Sequence, residues 1–152
     1  MCGIAGFYCK NQVSETRIHK TLNLMKNRGP DNQDFRLFVS NSNKSTVGLL
    51  HSRLSIIDLD TRSNQPFSIG TQTIVFNGEI YNAPELKRTL EGLGHVFRST
   101  SDTEVLLRAY QQFGLDSLEK IQGMFSFVVW DRKEKRLIAV RDRMGIKPLF
   151  VA

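Results

Sequence analysis

Met1-Cys2-Gly3-Ile4-Ala5-Gly6-Phe7-Tyr8 opens the chain, and the reading of Cys2 within it decides how the rest is understood. If Met1 is removed, Cys2 becomes the first residue and carries a free α-amine beside its thiol. An α-amine with a reference pKa of about 7.7 to 8.0 accepts protons near neutral pH. A thiol needs such a partner, because the thiolate is the nucleophile and only a small fraction of free cysteine is ionised at pH 7. One cleavage would thus put nucleophile and base on the same residue. Taken alone, Cys2 reads more readily as a small apolar residue at the start of a strand. The remainder of the sequence has to separate the two readings.

Working outward, 152 residues with 40% hydrophobic and 24% charged composition fit one folded domain with a real core and argue against disorder. No apolar run approaches the roughly 20 residues that span a bilayer, and no basic stretch followed by an apolar one opens the chain. The expectation is a soluble, cytoplasmic protein with no membrane partner. Two cysteines, Cys2 and Cys9, cannot build a disulfide framework, and Cys9 reads as inert. His19, His51 and His95 are scattered and share no metal-ligand spacing with the cysteines, so no metal is expected. The net charge of +6 raises nucleic acid as a partner, but the basic residues form no block, which favours a solvated surface or a docking face.

Behind the opening strand, Ser14 and Thr16 offer helix caps, and Ile18, Leu22 and Met25 recur at helical spacing. Arg28-Gly29-Pro30-Asp31 breaks that helix. Strand patterns follow over residues 34–40 and 46–54, joined by a polar loop over residues 41–45, with an irregular segment at Asn64-Gln65-Pro66-Phe67. Residues 71–76 read as a strand running into Asn77-Gly78, a pair that often marks a tight turn. A helix is expected over residues 83–93, with Pro84 in its first turn and Leu86, Leu90 and Leu93 on one face. A short strand over residues 95–100 leads to Ser101-Asp102-Thr103-Glu104, which resembles a capping sequence for the helix carrying Val105, Leu106, Ala109 and Tyr110. A further short helix is read over residues 115–121. Residues 125–130 and 136–140 form a hairpin, and residues 149–152 begin another strand. That terminal strand, with no polar tail, suggests that more protein follows.

Hairpins and the absence of a Gly-x-Gly-x-x-Gly loop favour an α/β domain with much antiparallel pairing over a doubly wound parallel fold. Amide acyl transfer needs a nucleophile, a base, oxyanion donors and a clamp for substrate. Besides Cys2, the clearest stretches are Arg28-Gly29-Pro30-Asp31, His51-Ser52-Arg53-Leu54-Ser55-Ile56-Ile57-Asp58, Gln65-Pro66-Phe67, Phe76-Asn77-Gly78-Glu79-Ile80-Tyr81-Asn82, Ser101-Asp102-Thr103-Glu104, Gly123-Met124-Phe125 and Arg141-Asp142-Arg143-Met144-Gly145-Ile146-Lys147-Pro148-Leu149. In these stretches and their order the chain resembles the N-terminal glutaminase domain of class II glutamine amidotransferases, most closely the asparagine synthetase branch. Arg-Gly-Pro-Asp, where the sugar-phosphate branch would show Arg-Gly-Tyr-Asp, carries that preference.

The resemblance implies an α+β fold of the N-terminal nucleophile hydrolase type, an αββα sandwich of two antiparallel sheets flanked by helices, truncated at its C-terminus. It implies that Met1 is cleaved and that Cys2 attacks the side-chain amide of L-glutamine, giving ammonia and then glutamate. The Asn77 side chain and the Gly78 N–H would hold the oxyanion, Arg53 the substrate carboxylate, and Glu79 and Asp102 its ammonium. Leu54, Ser55, Ile56 and Ile57 would line the pocket. No cofactor is implied for this chain; ATP and Mg2+ belong to a C-terminal synthetase domain that is absent from it. That domain is the implied partner, and the resemblance leaves room for a homodimer. On local grounds Arg53 reads as a surface ion-pair residue, Asp102 as a helix cap, Glu79 as a solvated turn residue and His51 as packing. Asparagine is the implied product of the whole enzyme. Amidation of another carboxylate, such as a surface-polysaccharide sugar, and a non-catalytic regulatory module are the alternatives.

Overall fold

The computed structural model describes residues 2–10, 13–40 and 45–152; Met1 and residues 41–44, most of the expected polar loop, lie outside them. Two antiparallel sheets face each other. The first has the order β1-β3-β2, from β1 (Gly3–Cys9), β2 (Asn32–Ser40) and β3 (Ser45–Arg53). The second runs β4-β5-β6-β7, from β4 (Phe67–Ile69), β5 (Gln72–Ile80), β6 (Gly123–Asp131) and β7 (Arg136–Arg141). Helix α1 (Glu15–Met25) covers the first sheet, and α2 (Ala83–Gly92) and α3 (Asp102–Phe113) cover the second. A short α4 (Ser117–Lys120) leads into β6.

β3 shows why the layers stack. All nine of its residues are buried, because both of its faces are covered. Side chains alternate along a strand. Leu50 packs with Ile18 and Leu22 of α1, whereas His51 reaches Phe76 of β5 through a contact of 3.3 Å. The odd-numbered residues of β3 therefore face the second sheet. In β5 the alternation is complementary: Ile74, Phe76 and Ile80 join the core under α2 and α3, leaving Val75, Asn77 and Glu79 toward the first sheet. In that core Leu90, Leu106, Phe127 and Val129 are at most 1% exposed. Burying one such side chain stabilises by about 1.5–3 kcal/mol.

Several sequence expectations change here. Asn77-Gly78 is no turn: both residues lie inside β5, opposite Ser126 and Phe125 of β6. Glycine is needed at 78 for close approach, since a Cβ there would sit 2.2 Å from the Met124 carbonyl oxygen. Residues 95–100 form no strand, because carboxylates of other segments take their amides. Glu104 accepts the N–H groups of Arg98 and Ser99, and Asp58 that of Thr100. Asp102 is not the cap of α3; Ser101 is, accepting the Glu104 N–H at 3.4 Å. Leu93 falls past the end of α2 and is 53% exposed. Thr16 lies inside α1, behind the Ser14 cap position. Phe67 leaves the irregular segment to begin β4, whereas residues 149–152 join no ladder. Arg98 and Arg132 lie over the Phe67 and Phe38 rings, so part of the basic surface is committed to local contacts.

Candidate active site

Where the facing sheets end, Cys2 and the β3 and β5 termini enclose a cavity of about 90 Å³. Cys2 precedes β1 and is tied across to the residue following β3. Its Sγ accepts the Leu54 N–H at 3.4 Å and lies 3.7 Å from the Leu54 carbonyl oxygen. The Arg28-Gly29-Pro30-Asp31 turn holds that end of β3 in place. Asp31 donates its N–H to the Arg53 carbonyl at 3.0 Å, and its carboxylate accepts the Ser55 N–H at 2.7 Å. A Cβ on Gly29 would lie 2.2 Å from the Ser52 carbonyl oxygen, so glycine lets the turn dock.

Arg53 is buried, at 5% exposure, and is not the surface ion-pair residue that its strand position suggests. Its terminal nitrogens donate to the Asp60 carbonyl at 3.0 Å, the Ile57 carbonyl at 3.4 Å, the Asp58 carbonyl and the Asn64 side chain. The guanidinium thus gathers the loop of residues 54–60 around itself while lining the cavity. Leu54, Ile56 and Ile57 of that loop line the cavity too, and Ser55 does not, being turned to Asp31.

Opposite lie Asn77, Gly78 and Glu79 of β5 and Asp102 of α3. The Asp102 carboxylate accepts the Ile80 N–H at 2.8 Å, which anchors the start of α3 to the end of β5. Burial raises its pKa above the ordinary carboxylate range, with the Glu79 charge adding to the rise and the Ile80 amide opposing it. A pair of carboxylates in this relation attracts a cation. A wider groove of about 510 Å³ shares Ile57, Glu79 and Asp102 with the cavity.

His51 is fully buried, and burial pulls its pKa down to about 4 against the raising effect of the Phe76 contact, with Arg53 lowering it further. It is neutral at physiological pH and packs between the sheets.

Gln65, Met124, Thr103 and Lys147 are among the further lining residues that were not assigned a role in the site from sequence. All four sit in the motif stretches quoted above, which is the signal that could have found them. Gln65 accepts the Phe76 N–H at 2.6 Å and donates to the Thr103 hydroxyl at 3.0 Å, linking β5 to α3 at the cavity wall. The Asp142 carboxylate accepts the Ile146 and Lys147 N–H groups, each at 2.9 Å, and that of Phe125, so the turn bearing Lys147 is moored to β6 beside Gly78. Among the described residues no three His, Cys, Asp or Glu side chains come together as metal ligands, and no helix is long and apolar enough to cross a membrane.

Two antiparallel sheets face to face with helices outside, and Cys2 at their end, make this an α+β sandwich of the N-terminal nucleophile hydrolase type. The whole chain, residues 1–152, matches the family described as the glutamine amidotransferase domain, and the chain belongs to that family. It is 38% identical to asparagine synthetase [glutamine-hydrolyzing] 3 of Bacillus subtilis (strain 168), across 99% of this chain and 24% of that protein. It is 37% identical to the amidase chyE of Penicillium rubens, with the same two shares. In fold it resembles the glutamine phosphoribosylpyrophosphate amidotransferase of B. subtilis, at a TM-score of 0.76 and 21% identity over 95% of this chain and 38% of that one. The chain spans about a quarter of the length of the curated relatives named here.

Proposed function

We propose that this domain hydrolyses L-glutamine through Cys2 and supplies the ammonia to an ATP-dependent synthetase portion of a longer protein, which forms asparagine from aspartate. The observation that carries this reading is the meeting of Cys2, Arg53, Asn77, Glu79 and Asp102 around one cavity, although the sequence separates them by up to 100 residues.

After loss of Met1, the Cys2 α-amine takes the thiol proton and the sulfur attacks the glutamine side-chain amide carbon. The Asn77 amide and the Gly78 N–H stabilise the oxyanion, neutral donors that cost no reorganisation if aimed beforehand; losing one such donor costs about 10²- to 10³-fold in rate. The ammonium returns its proton as ammonia leaves, and water then hydrolyses the thioester to glutamate and free Cys2. Arg53 receives the substrate carboxylate, for which its planar fork is suited. Glu79 and Asp102 receive the ammonium, and the raised pKa of Asp102 fits a site that gains by taking a cation. Leu54, Ile56 and Ile57 form the wall of the pocket, with Ser55 holding their loop to Asp31.

ATP and Mg2+ are assigned to the synthetase portion, and no step here runs through them. The share of the relatives that the chain covers supports residues 1–152 as one part of such a protein.

The test is direct. Mass spectrometry should find the chain beginning at Cys2. That protein should release glutamate from glutamine and be labelled on Cys2, not Cys9, by the glutamine-like diazoketone 6-diazo-5-oxo-L-norleucine. A folded chain with Cys2 exposed as its first residue that shows neither result refutes the proposal.

A further inference from the structure

Asp58 stands in a motif stretch and has no part in the chemistry above. Its backbone carbonyl accepts from Arg53, the residue assigned to the substrate carboxylate. Its side chain turns the other way. The carboxylate accepts the Thr100 N–H at 2.8 Å, and Thr100 lies two residues before Asp102, assigned to the substrate ammonium. That carboxylate is only 3% exposed, also receives the Asp60 N–H at 3.3 Å, and has Arg62 Nε at 3.5 Å. The backbone of Asp58 is left-handed, with φ of 50°. Asp and Asn tolerate that region better than other residues with a Cβ, and glycine enters it freely. The Thr100 amide, as the largest influence, holds the carboxyl well below the usual carboxylate range, so the link is charged at every working pH.

We propose that Asp58 is a positioning residue that sets the separation between the two charged grips on the substrate, and that it thereby determines the preference for an α-amino acid. One residue joins the Arg53-held loop to the approach of α3, so its carbonyl and carboxylate fix how far the guanidinium stands from Asp102. Without the carboxylate link, Arg53 still holds the loop and Asp102 still holds Ile80, but registering one against the other is left to the longer route through Asn64, Gln65 and Thr103. This inference rests on the glutaminase reading.

The experiment measures binding in the Cys2→Ala chain, so that no turnover is needed. Calorimetry compares glutamine with glutaramate, which has the same amide and carboxylate but no ammonium. Asp58→Gly keeps the left-handed backbone accessible and deletes the acceptor. It should reduce the preference for glutamine over glutaramate about tenfold, the size expected when a charged hydrogen-bonding group is misplaced. Asp58→Asn, which retains both an acceptor and the backbone tolerance, should keep the preference within about threefold. If Asp58→Gly does not fold, Thr100→Pro removes the same bond from the donor side and is read by the same ratio. An unchanged ratio in a folded variant, or equal weakening of both ligands, overturns the inference and leaves the glutaminase reading standing. Absence of glutamine binding by the parent chain overturns both.

Discussion

Acidification should weaken this fold through His51 before the carboxylates of Asp58, Asp131 and Asp142, which hydrogen bonds hold low, begin to titrate. Between the sheets its imidazole is fully buried and its pKa falls from 6.5 to about 4. The unfolded chain takes a proton on this residue below about pH 6.5, while the folded chain refuses it until about pH 4. Within that window the unfolded state binds more protons, so stability falls as pH falls and is regained as pH rises. At about 1.36 kcal/mol per pH unit the full interval is worth roughly 3 kcal/mol, of which about 2 kcal/mol is lost by pH 5. That loss is a large part of the 5–15 kcal/mol typical of a domain.

Urea titrations at pH 7.5, 6.5, 5.5 and 5.0 would give the midpoint and slope at each pH. The control is His51→Gln, whose amide can still reach the Phe76 carbonyl but does not titrate. It should be less stable than the wild type at pH 7.5, yet lose about 2 kcal/mol less on going to pH 5. The carboxylates are common to both proteins and cancel. Those of Asp58, Asp131 and Asp142 are held low and withdraw their stabilisation only below about pH 3.8, outside the range. Parallel pH dependences for the wild type and His51→Gln would refute the reasoning, because the buried imidazole would then not be the group being charged.

Other expectations concern the site. Cys2→Ala should abolish glutamate release while leaving the unfolding free energy from urea titration within about 0.5 kcal/mol of the wild type, and residual turnover above background would remove Cys2 from the chemistry. Asp102→Asn should raise KM for glutamine about tenfold or more with a smaller change in kcat, since it removes charge that faces the substrate ammonium; a kcat effect alone, from steady-state kinetics, would contradict that assignment. Gly78→Ala should be destabilised by about 1–3 kcal/mol in urea unfolding, because its Cβ would press on the Met124 carbonyl, and an unaffected midpoint would contradict the close approach described for β5 and β6.

How much of this was legible beforehand differs from segment to segment. α1 follows from its helical spacing, and the β2–β3 pair and the β6–β7 hairpin follow from apolar, branched runs joined by polar or charged connections. The Asn-Gly pair misleads because turn preference is local. β6 offers Gly123 opposite Ile80, and this carries β5 straight through. Residues 95–100 look like a strand by composition, but their amides answer to Glu104 and Asp58, acceptors that a window of sequence does not weigh. Cys2, the Asn77-Gly78 pair, Arg53, Glu79 and Asp102 are readable as motif residues. The bracing around them is less so: Gln65 meets Thr103 across 38 residues, and Arg53 acts on main-chain carbonyls that carry no sequence signature.

The occupied state of Arg53 has a consequence for affinity. Carbonyls of Ile57, Asp58 and Asp60 already accept from its terminal nitrogens, so the buried guanidinium is hydrogen-bonded within its own chain. An arriving carboxylate must take places that these carbonyls hold. Under the proposed function, glutamine is selected by substitution within an existing hydrogen-bonded set, and its binding free energy is the margin by which an anion outcompetes neutral dipoles. On that reading such a margin favours modest affinity and quick release of glutamate.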